Sequence, residues 1–166
     1  MPDRPSQGRE LIEARGLMAH PEGGYYREVH HSSLSVSHPS REVTTPRPAS
    51  TMIEFLLLAG EPSRWHRVRT EEIWIHLAGA PLTHERVDEG LREHQGTTLG
   101  PVQGGSRSHL LIPGGYWQAA HTSGEFTLSA CIVAPGFEFE DFTLLRDEPE
   151  LVVRFRERFP ERSELL

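Results

Sequence analysis

The residues best suited to chemistry lie in GEPSRWHRVRTEEIWIHLAG, which spans residues 60–79. His66 has an imidazole that titrates near neutral pH, and Glu72 has a carboxyl group whose pKa burial can raise. Such a pair can transfer protons without a metal, or it can supply two ligands to a divalent metal ion. It can also be purely structural, a histidine held by a carboxylate inside a polar cavity. The residues alone leave these alternatives open.

The segment EEIWIHLAG is predicted to be a β-strand with two unlike faces. Alternation places Glu72, Trp74 and His76 on one face, which we expect to line a barrel. The other face is aliphatic and consists of Ile73, Ile75 and Leu77. A terminal helix or a second subunit must cover it. The sequence therefore predicts a homo-oligomer, with a homodimer as the expected form.

A second candidate strand, GYYREVHHSS, lies near the start of the chain. It carries Tyr25 and Arg27 on one face and Tyr26 on the other. Either tyrosine could stack on a sugar or base ring, and Arg27 could bind an anionic group. Each of these side chains could equally serve in ordinary packing.

Three more candidates for ligand binding lie further along the chain. Thr51 begins the nearly continuous apolar run STMIEFLLLA, which indicates a strand buried on both faces. Glu54 interrupts that run and is expected to point either to solvent or to the mouth of a cavity with a partner. Trp117 and Gln118 lie in IPGGYWQAA, where the indole offers a flat surface and the amide a hydrogen-bonding group.

The composition excludes several classes of function. The formal charge is −7 and no basic cluster is visible, which argues against a nucleic-acid partner. All 17 basic residues are arginine, so lysine-dependent Schiff-base chemistry is excluded. Cys131 is the single cysteine, which rules out an intramolecular disulfide. Without a long apolar run or a signal-peptide pattern, we expect a soluble cytoplasmic protein that has no membrane partner and binds a small molecule.

Many short strands separated by Gly, Pro and polar turns predict an all-β jelly roll with short terminal helices. His84 and His94 lie in a predicted hairpin, LTHERVDEGLREHQGTTL, where charged neighbours indicate exposure. A polar loop from Ser32 to Pro48 could form an exposed flap. The whole chain is predicted to be one domain, 1–166, with an N-terminal helix at about 6–18, a barrel at about 23–145 and a C-terminal amphipathic helix at about 149–159.

Four stretches together resemble the cupin superfamily, and specifically its Cupin_5 branch, a group of unknown function. They are PEGGYYREVH, HRVRTEEIWIHLAGAPL, IPGGYWQAA and APGFEFEDF. The first cupin motif is matched by Gly60, His66, Glu72 and Gly79, with Val68 where a second histidine belongs. The second is matched by Pro113, Gly115, Gln118 and Thr122, with Gln118 where the metal-binding histidine belongs.

The resemblance implies a double-stranded β-helix barrel, usually paired as a homodimer, with a ligand pocket inside. Because two of four expected metal ligands are replaced, no cofactor is expected; a divalent metal, if bound, would use His66 and Glu72 with His76 or Gln118. The metal-free dTDP-4-dehydrorhamnose 3,5-epimerases are similar in their early strand. They imply an epimerase or isomerase on a sugar-like or nucleotide-sugar-like ligand, with His66 as base, Tyr25 or Tyr26 as acid and Arg27 on phosphate.

Two alternatives stand beside this interpretation. One is a non-catalytic cupin of the ligand-binding or storage type. The other is a metal-dependent enzyme with a degenerate site, which the replacements at Val68 and Gln118 disfavour.

Overall fold

The computed structural model describes residues 6–37 and 46–166, and antiparallel β-strands are its main secondary structure. The strands are β1 (Met18–Ala19), β2 (Tyr25–His31), β3 (Ser35–Val36), β4 (Arg47–Pro48), β5 (Thr51–Leu58), β6 (Ser63–Val68), β7 (Glu71–Gly79), β8 (Leu82–Val87), β9 (His94–Leu99), β10 (His109–Ile112), β11 (Trp117–Thr122), β12 (Phe126–Ala134) and β13 (Phe142–Leu144). The α-helices are α1 (Gln7–Arg15) and α2 (Pro149–Arg158). Short 3-10 helices cover Val102–Gly104, Phe139–Asp141, Leu145–Asp147 and Pro160–Leu165.

The strands form two main sheets whose inner faces share a core. One sheet has the order β1-β2-β5-β12-β7-β10, and the other has the order β13-β6-β11-β8-β9. Non-sequential neighbours such as β5 and β12 are the crossovers of a jelly roll. The predicted β-rich cupin barrel is thereby confirmed.

A cluster of buried side chains from both sheets fills one part of the space between them. Phe55 and Trp74 come from the six-stranded sheet, and Leu82 and Leu99 come from the five-stranded sheet. The Phe55 and Trp74 rings meet edge to face at 5.5 Å between centroids. This packing closes part of the interior and leaves the remainder as a cavity.

The two helices cover different outer faces of the barrel. In α1 the Ser6 side chain accepts a hydrogen bond from the Arg9 amide, and Gly16 ends the helix at a φ of 63°, where glycine is favoured. Helix α1 packs beside Leu56 and Leu58 on the outside of the six-stranded sheet. Helix α2 packs on the five-stranded sheet. Phe155 of the helix and Phe159 just after it join a buried cluster that includes Trp65 and Trp117 of the sheet.

The outer face of β7 and β10 is not covered in the same way. Ile73, Leu77 and Leu111 are 39%, 46% and 49% exposed, and Leu111 pairs with Ile73 across the two strands. Ile73 and Leu111 are cross-strand neighbours on the outer sheet face, and Leu77 lies at the irregularity of β7; we call these three exposed side chains the β7–β10 face. It is part of the aliphatic face for which the sequence predicts a cover.

The predicted hairpin forms from β8 and β9, but one prediction about its histidines is wrong. His84 is only 1% exposed and lies against the Trp74 ring, at 5.1 Å between centroids. Its strand turns it inward, and the adjacent Glu85 lies on the other face of the strand. His94 is half-buried and contacts Glu85 at 2.5 Å.

In the predicted flap, β3 and β4 pair with each other, and residues 38–45 of that segment lie outside the described residues. Across the described ranges, no helix has the length and apolar character needed to span a membrane.

Candidate functional site

A cavity of about 290 Å³ lies between the sheets, beside the packed cluster. Its polar lining consists of His20, Glu22, Glu28, Thr51, His66 and Glu72. Its aromatic lining consists of Tyr26, Phe55, Trp74, Phe137, Phe139 and Phe142. Of the described residues that line it, none is an arginine, although the chain has 17 basic residues and all are arginine. The cavity therefore combines acidic groups with apolar walls and contains no permanent cation.

Glu22 is the centre of the polar part of the cavity. It lies in the turn before β2, where Gly23 has a φ of 105° and comes so close to Pro62 that an added Cβ would be 2.3 Å from the Pro62 carbonyl oxygen. This close approach brings Glu22 against β6. Its Oε1 accepts a hydrogen bond from Ser63 Oγ at 2.9 Å, and its Oε2 lies 3.2 Å from His66 Nε2.

The hydrogen bonds of His66 define where its proton lies. Nδ1 is 2.7 Å from the Arg64 carbonyl oxygen, which can only accept, so Nδ1 carries a hydrogen. In the neutral ring Nε2 is then an acceptor, and Glu22 must supply the proton between them. Burial lowers the pKa of His66 to about 3, and burial with the nearby charge of Glu72 raises the pKa of Glu22 well above its usual value. These shifts favour the proton of the pair on Glu22, with His66 Nε2 3.2 Å from its Oε2.

His20 completes this cluster on the side of the cavity mouth. Its Nδ1 lies 3.3 Å from Glu22 Oε2 and accepts a hydrogen bond from the Glu22 amide at 3.3 Å. Burial lowers the pKa of His20 to about 4, so its ring is neutral at neutral pH. Its edge meets the Tyr26 ring at 4.8 Å between centroids.

Glu72 belongs to a second buried chain of hydrogen bonds. Gln118 Nε2 donates to Glu72 Oε2 at 2.5 Å, and Gln118 Oε1 accepts from His84 Nε2 at 3.0 Å. Because the amide oxygen can only accept, His84 must carry its hydrogen on Nε2. Burial raises the pKa of Glu72, partly opposed by the Gln118 hydrogen bond. The structure thus pairs Glu72 with Gln118 and His66 with Glu22, rather than His66 with Glu72.

The residues do not fit a cupin-type metal centre. In the described parts of the chain, no group of three or more His, Cys, Asp or Glu side chains is arranged to hold a metal ion. Val68 lines the cavity and supplies no donor atom, and Gln118 is bonded to both Glu72 and His84. The free nitrogen of His66 faces Glu22 instead of an open coordination position.

Five of the predicted site residues lie on the cavity wall: His66, Glu72, Tyr26, Thr51 and Trp74. Gln118 is buried behind Glu72 and reaches the cavity only through it. Thr51 also accepts a hydrogen bond from the Phe137 amide at 2.9 Å, which ties the aromatic segment to β5.

Tyr25 and Arg27 do not line the cavity. Strand alternation places them on the outer face of β2, opposite Tyr26. The Tyr25 hydroxyl donates to Glu61 at 2.8 Å, and Arg27 binds Glu54 at 3.0 Å. The interpretation of Arg27 as a phosphate ligand inside the barrel is therefore wrong.

His76 and Trp117 also lie away from the cavity. The β7 ladder is irregular between Leu128 and Ser129 of its partner strand, and His76 contacts the Ala80 carbonyl at 3.3 Å. Trp117 packs under α2 on the outer face of β11, with the Arg67 guanidinium 4.6 Å from its ring. Neither side chain can touch a ligand in this cavity.

Glu22, His20 and the aromatic residues of APGFEFEDF were not predicted as site residues. Both polar residues belong to the turn before β2, and PEGG within PEGGYYREVH indicates that turn but not the contact of Glu22 with β6. The rings of Phe137 and Phe139 are 5.0 Å apart, and Phe142 stacks on His66 at 5.5 Å. We call the five rings around the mouth the aromatic collar; it consists of His20, Tyr26, Phe137, Phe139 and Phe142.

Comparisons with known proteins agree with this architecture. A family model described as Cupin superfamily (DUF985) matches residues 9–145. The uncharacterized protein YML079W of Saccharomyces cerevisiae is 31% identical, over 91% of this chain and 81% of its own length. A hypothetical protein from Leishmania major has a TM-score of 0.81 at 26% identity, covering 96% of each chain.

A Shewanella oneidensis protein has a TM-score of 0.78 at 29% identity, covering 97% of this chain and 95% of that one. An oxalate decarboxylase from Bacillus subtilis has a TM-score of 0.57 at 18% identity, covering 89% of this chain and 36% of that one, and it shows the fold alone. The chain belongs to the DUF985 family of the cupin superfamily.

Proposed function

We propose that this cupin is a metal-independent isomerase or epimerase that acts on a small, sugar-like carbonyl compound. The observation that carries the proposal is the 3.2 Å contact between Glu22 and His66 at the wall of a cavity, with a second carboxyl group, Glu72, on the same wall. Two carboxyl groups whose surroundings differ are a common basis for paired acid and base chemistry.

In the proposed reaction, the Glu72 carboxylate removes a proton from the carbon next to the carbonyl. The protonated Glu22 donates its proton to the carbonyl oxygen, which gives an enol and leaves Glu22 as a carboxylate. Return of the proton to carbon and deprotonation of the hydroxyl restore both groups. His66 acts through Glu22, because both of its nitrogens are already bonded.

For epimerisation, Tyr26 is the tyrosine that can deliver a proton to the opposite face of the carbon, since Tyr25 faces outward. Tyr26 then takes a proton from solvent, and Glu72 releases the one it removed to solvent, which restores both groups. The nucleotide-sugar part of the expectation is not retained. A diphosphate needs cationic partners, whereas the described lining of the cavity has carboxyl groups and no arginine. The proposed substrate therefore carries no phosphate.

Exchange of solvent deuterium into unphosphorylated ketoses and aldoses, followed by NMR on protein treated with a chelator, tests this function. We expect exchange that Glu22→Gln lowers by about 100-fold, the usual scale for loss of an acid or base. Arg27→Ala is the matched control on the outer face and should retain the exchange. Exchange that requires an added metal would contradict the proposal. Saturable binding with exchange no faster than in Glu22→Gln would instead indicate a non-catalytic binding protein.

We also propose that the β7–β10 face pairs two copies of the chain, as a homodimer. The support is the exposure of the aliphatic side chains Ile73, Leu77 and Leu111 on β7 and β10, where Ile73 and Leu111 are cross-strand neighbours. Sedimentation should show a dimer that becomes a monomer in Leu111→Glu. The control Val153→Glu changes an aliphatic side chain that is 57% exposed on α2 and should leave the dimer intact. A monomeric native protein would contradict this interface. The cytoplasm remains the proposed location.

A further inference from the structure

We propose that the cavity binds an organic cation, in which a protonated amine or quaternary ammonium group is attached to a small apolar or planar body. This proposal rests on the proposed function, because it names the substrate class of the same site: an amino-substituted carbonyl compound. It rests on the charge of the cavity lining and on the arrangement of the aromatic rings.

The charged groups of the lining are all of one sign. Glu22, Glu28 and Glu72 supply three carboxyl groups, and none of the described lining residues is an arginine. Glu22 is the protonated one, and Glu28 is half-exposed beside His31, so Glu72 is the enclosed group that supplies negative charge. The two imidazoles do not compensate, since burial keeps His20 and His66 neutral at neutral pH. An ammonium group entering the cavity would supply a counter-charge to the Glu72 carboxylate, whereas a carboxylate or phosphate would meet the like charge of Glu72.

The acidic groups are not arranged as an open, water-filled acidic surface. Glu22 and Glu72 are 5% and 7% exposed and lie in a cavity that is walled by rings. Buried carboxyl groups without a cationic neighbour are costly, and a bound cation would relieve that cost.

The aromatic collar adds a second, independent feature that favours a cation. Phe137 and Phe139 meet edge to face, at 81°, and Phe139 and Phe142 meet at 78°. The three rings line the cavity in several orientations, and a cation is attracted to an aromatic ring face within about 6 Å of its centroid. Phe139 is 54% exposed, so the collar is accessible from solvent. Ring faces with nearby carboxylates form the usual receptor for ammonium groups.

The cavity volume limits the size of the ligand. About 290 Å³ holds one substituted ring or a short chain with an ammonium group. It is at the lower limit of ordinary small-molecule sites, which run from roughly 300 to 1,000 Å³. A nucleotide would not fit within it.

Three compounds with the same ring and different charge test the proposal: benzylamine, benzyl alcohol and benzoate. Calorimetric titration of the full chain at pH 7 should show benzylamine binding at least about tenfold more tightly than benzyl alcohol, and no saturable binding of benzoate. Glu72→Gln should reduce the preference for the amine. Arg27→Ala, on the outer face, should leave it unchanged.

Equal or tighter binding of the alcohol or of benzoate, or no binding of any of the three, overturns the proposal. The comparison on the native chain decides the question even if Glu72→Gln does not fold. A preference for the amine without deuterium exchange would retain the ligand class and remove the proposed reaction. Deuterium exchange without a preference for the amine would retain the proposed reaction and remove the proposed ligand class.

Discussion

The two faces of the six-stranded sheet place carboxyl groups in opposite surroundings. On the outer face, Glu54 is held by Arg15 and Arg27, and the hydrogen bond from Arg15 is the main cause that lowers its pKa. On the inner face, burial raises the pKa of Glu22 and Glu72, and no arginine lies beside them in the described lining. The same residue type is thus fixed as an ion outside the barrel and available for proton transfer inside it.

This difference shows where the chain uses its arginines. Arg9, Arg15 and Arg27 pair with glutamates on the outer surface. The Arg9–Glu61 pair is exposed on both sides and contributes little to stability, whereas Glu54 is buried beneath Arg15 and Arg27. Keeping the cations outside has a greater effect on chemistry, since it leaves the inner carboxyl groups without a partner that would fix them as anions.

The largest expected effect separates the two faces by activity. Glu72→Gln removes the proposed base and should lower deuterium exchange by about 100-fold or more. Glu54→Gln changes the same residue type on the outer face and should leave the exchange rate within about twofold. If both substitutions lowered the exchange rate equally, the proposed difference between the inner and outer carboxyl groups would be contradicted, and general destabilisation would explain the loss.

A second prediction concerns the pH dependence of stability. Burial lowers the pKa of His84 to about 4 from an ordinary 6.5, so the unfolded chain takes up a proton at pH values where the folded chain does not. Its contribution is fully present above pH 6.5 and is lost as the pH falls toward 4. The stability of the native protein relative to His84→Gln should therefore rise by up to about 3 kcal/mol between pH 4 and 6.5.

Urea unfolding of both proteins at several pH values measures this difference. Glu22 and Glu72 act in the opposite sense, because a raised pKa favours folding at low pH; both proteins retain them, so their effect cancels in the comparison. A difference that does not vary with pH would contradict the burial of a neutral His84.

A smaller effect is expected for the amide that joins Glu72 to His84. Gln118→Leu removes both hydrogen bonds and leaves buried groups without partners, which should cost about 1–3 kcal/mol of unfolding free energy. Gln95→Leu is the matched control, since Gln95 is exposed and bonds only to the Arg86 side chain. Equal losses of unfolding free energy in the two variants would show that the buried hydrogen bonds of Gln118 contribute no more to stability than the exposed ones of Gln95.

The fold followed from the sequence because strand patterns and turn glycines are local signals. Alternation also placed Glu72, Trp74 and Tyr26 on strand faces that line the cavity. The same alternation excludes Trp117 from the cavity wall, because Trp117 is adjacent in sequence to the inward-facing Gln118 and must point outward. The prediction that both Trp117 and Gln118 bind the ligand therefore conflicted with the two-residue period of a strand.

The missing part of the site depends on long-range contacts. Glu22 meets Ser63 and His66 only because the turn at Gly23 docks against β6, some forty residues away in sequence. No local pattern in PEGG shows that contact. His84 was misjudged for a related reason, because charged neighbours in sequence say nothing about the face on which a strand residue lies.

The most direct test of the account is an NMR titration of the carboxyl carbons of Glu22, Glu72 and Glu54 in the native protein. The account predicts that Glu54 titrates below its ordinary pKa of 4.5, that Glu22 titrates well above it, and that the Glu22 signal changes together with that of His66 because the two groups are in contact. Titration of Glu22 and Glu54 at the same pH near 4.5 would contradict the account.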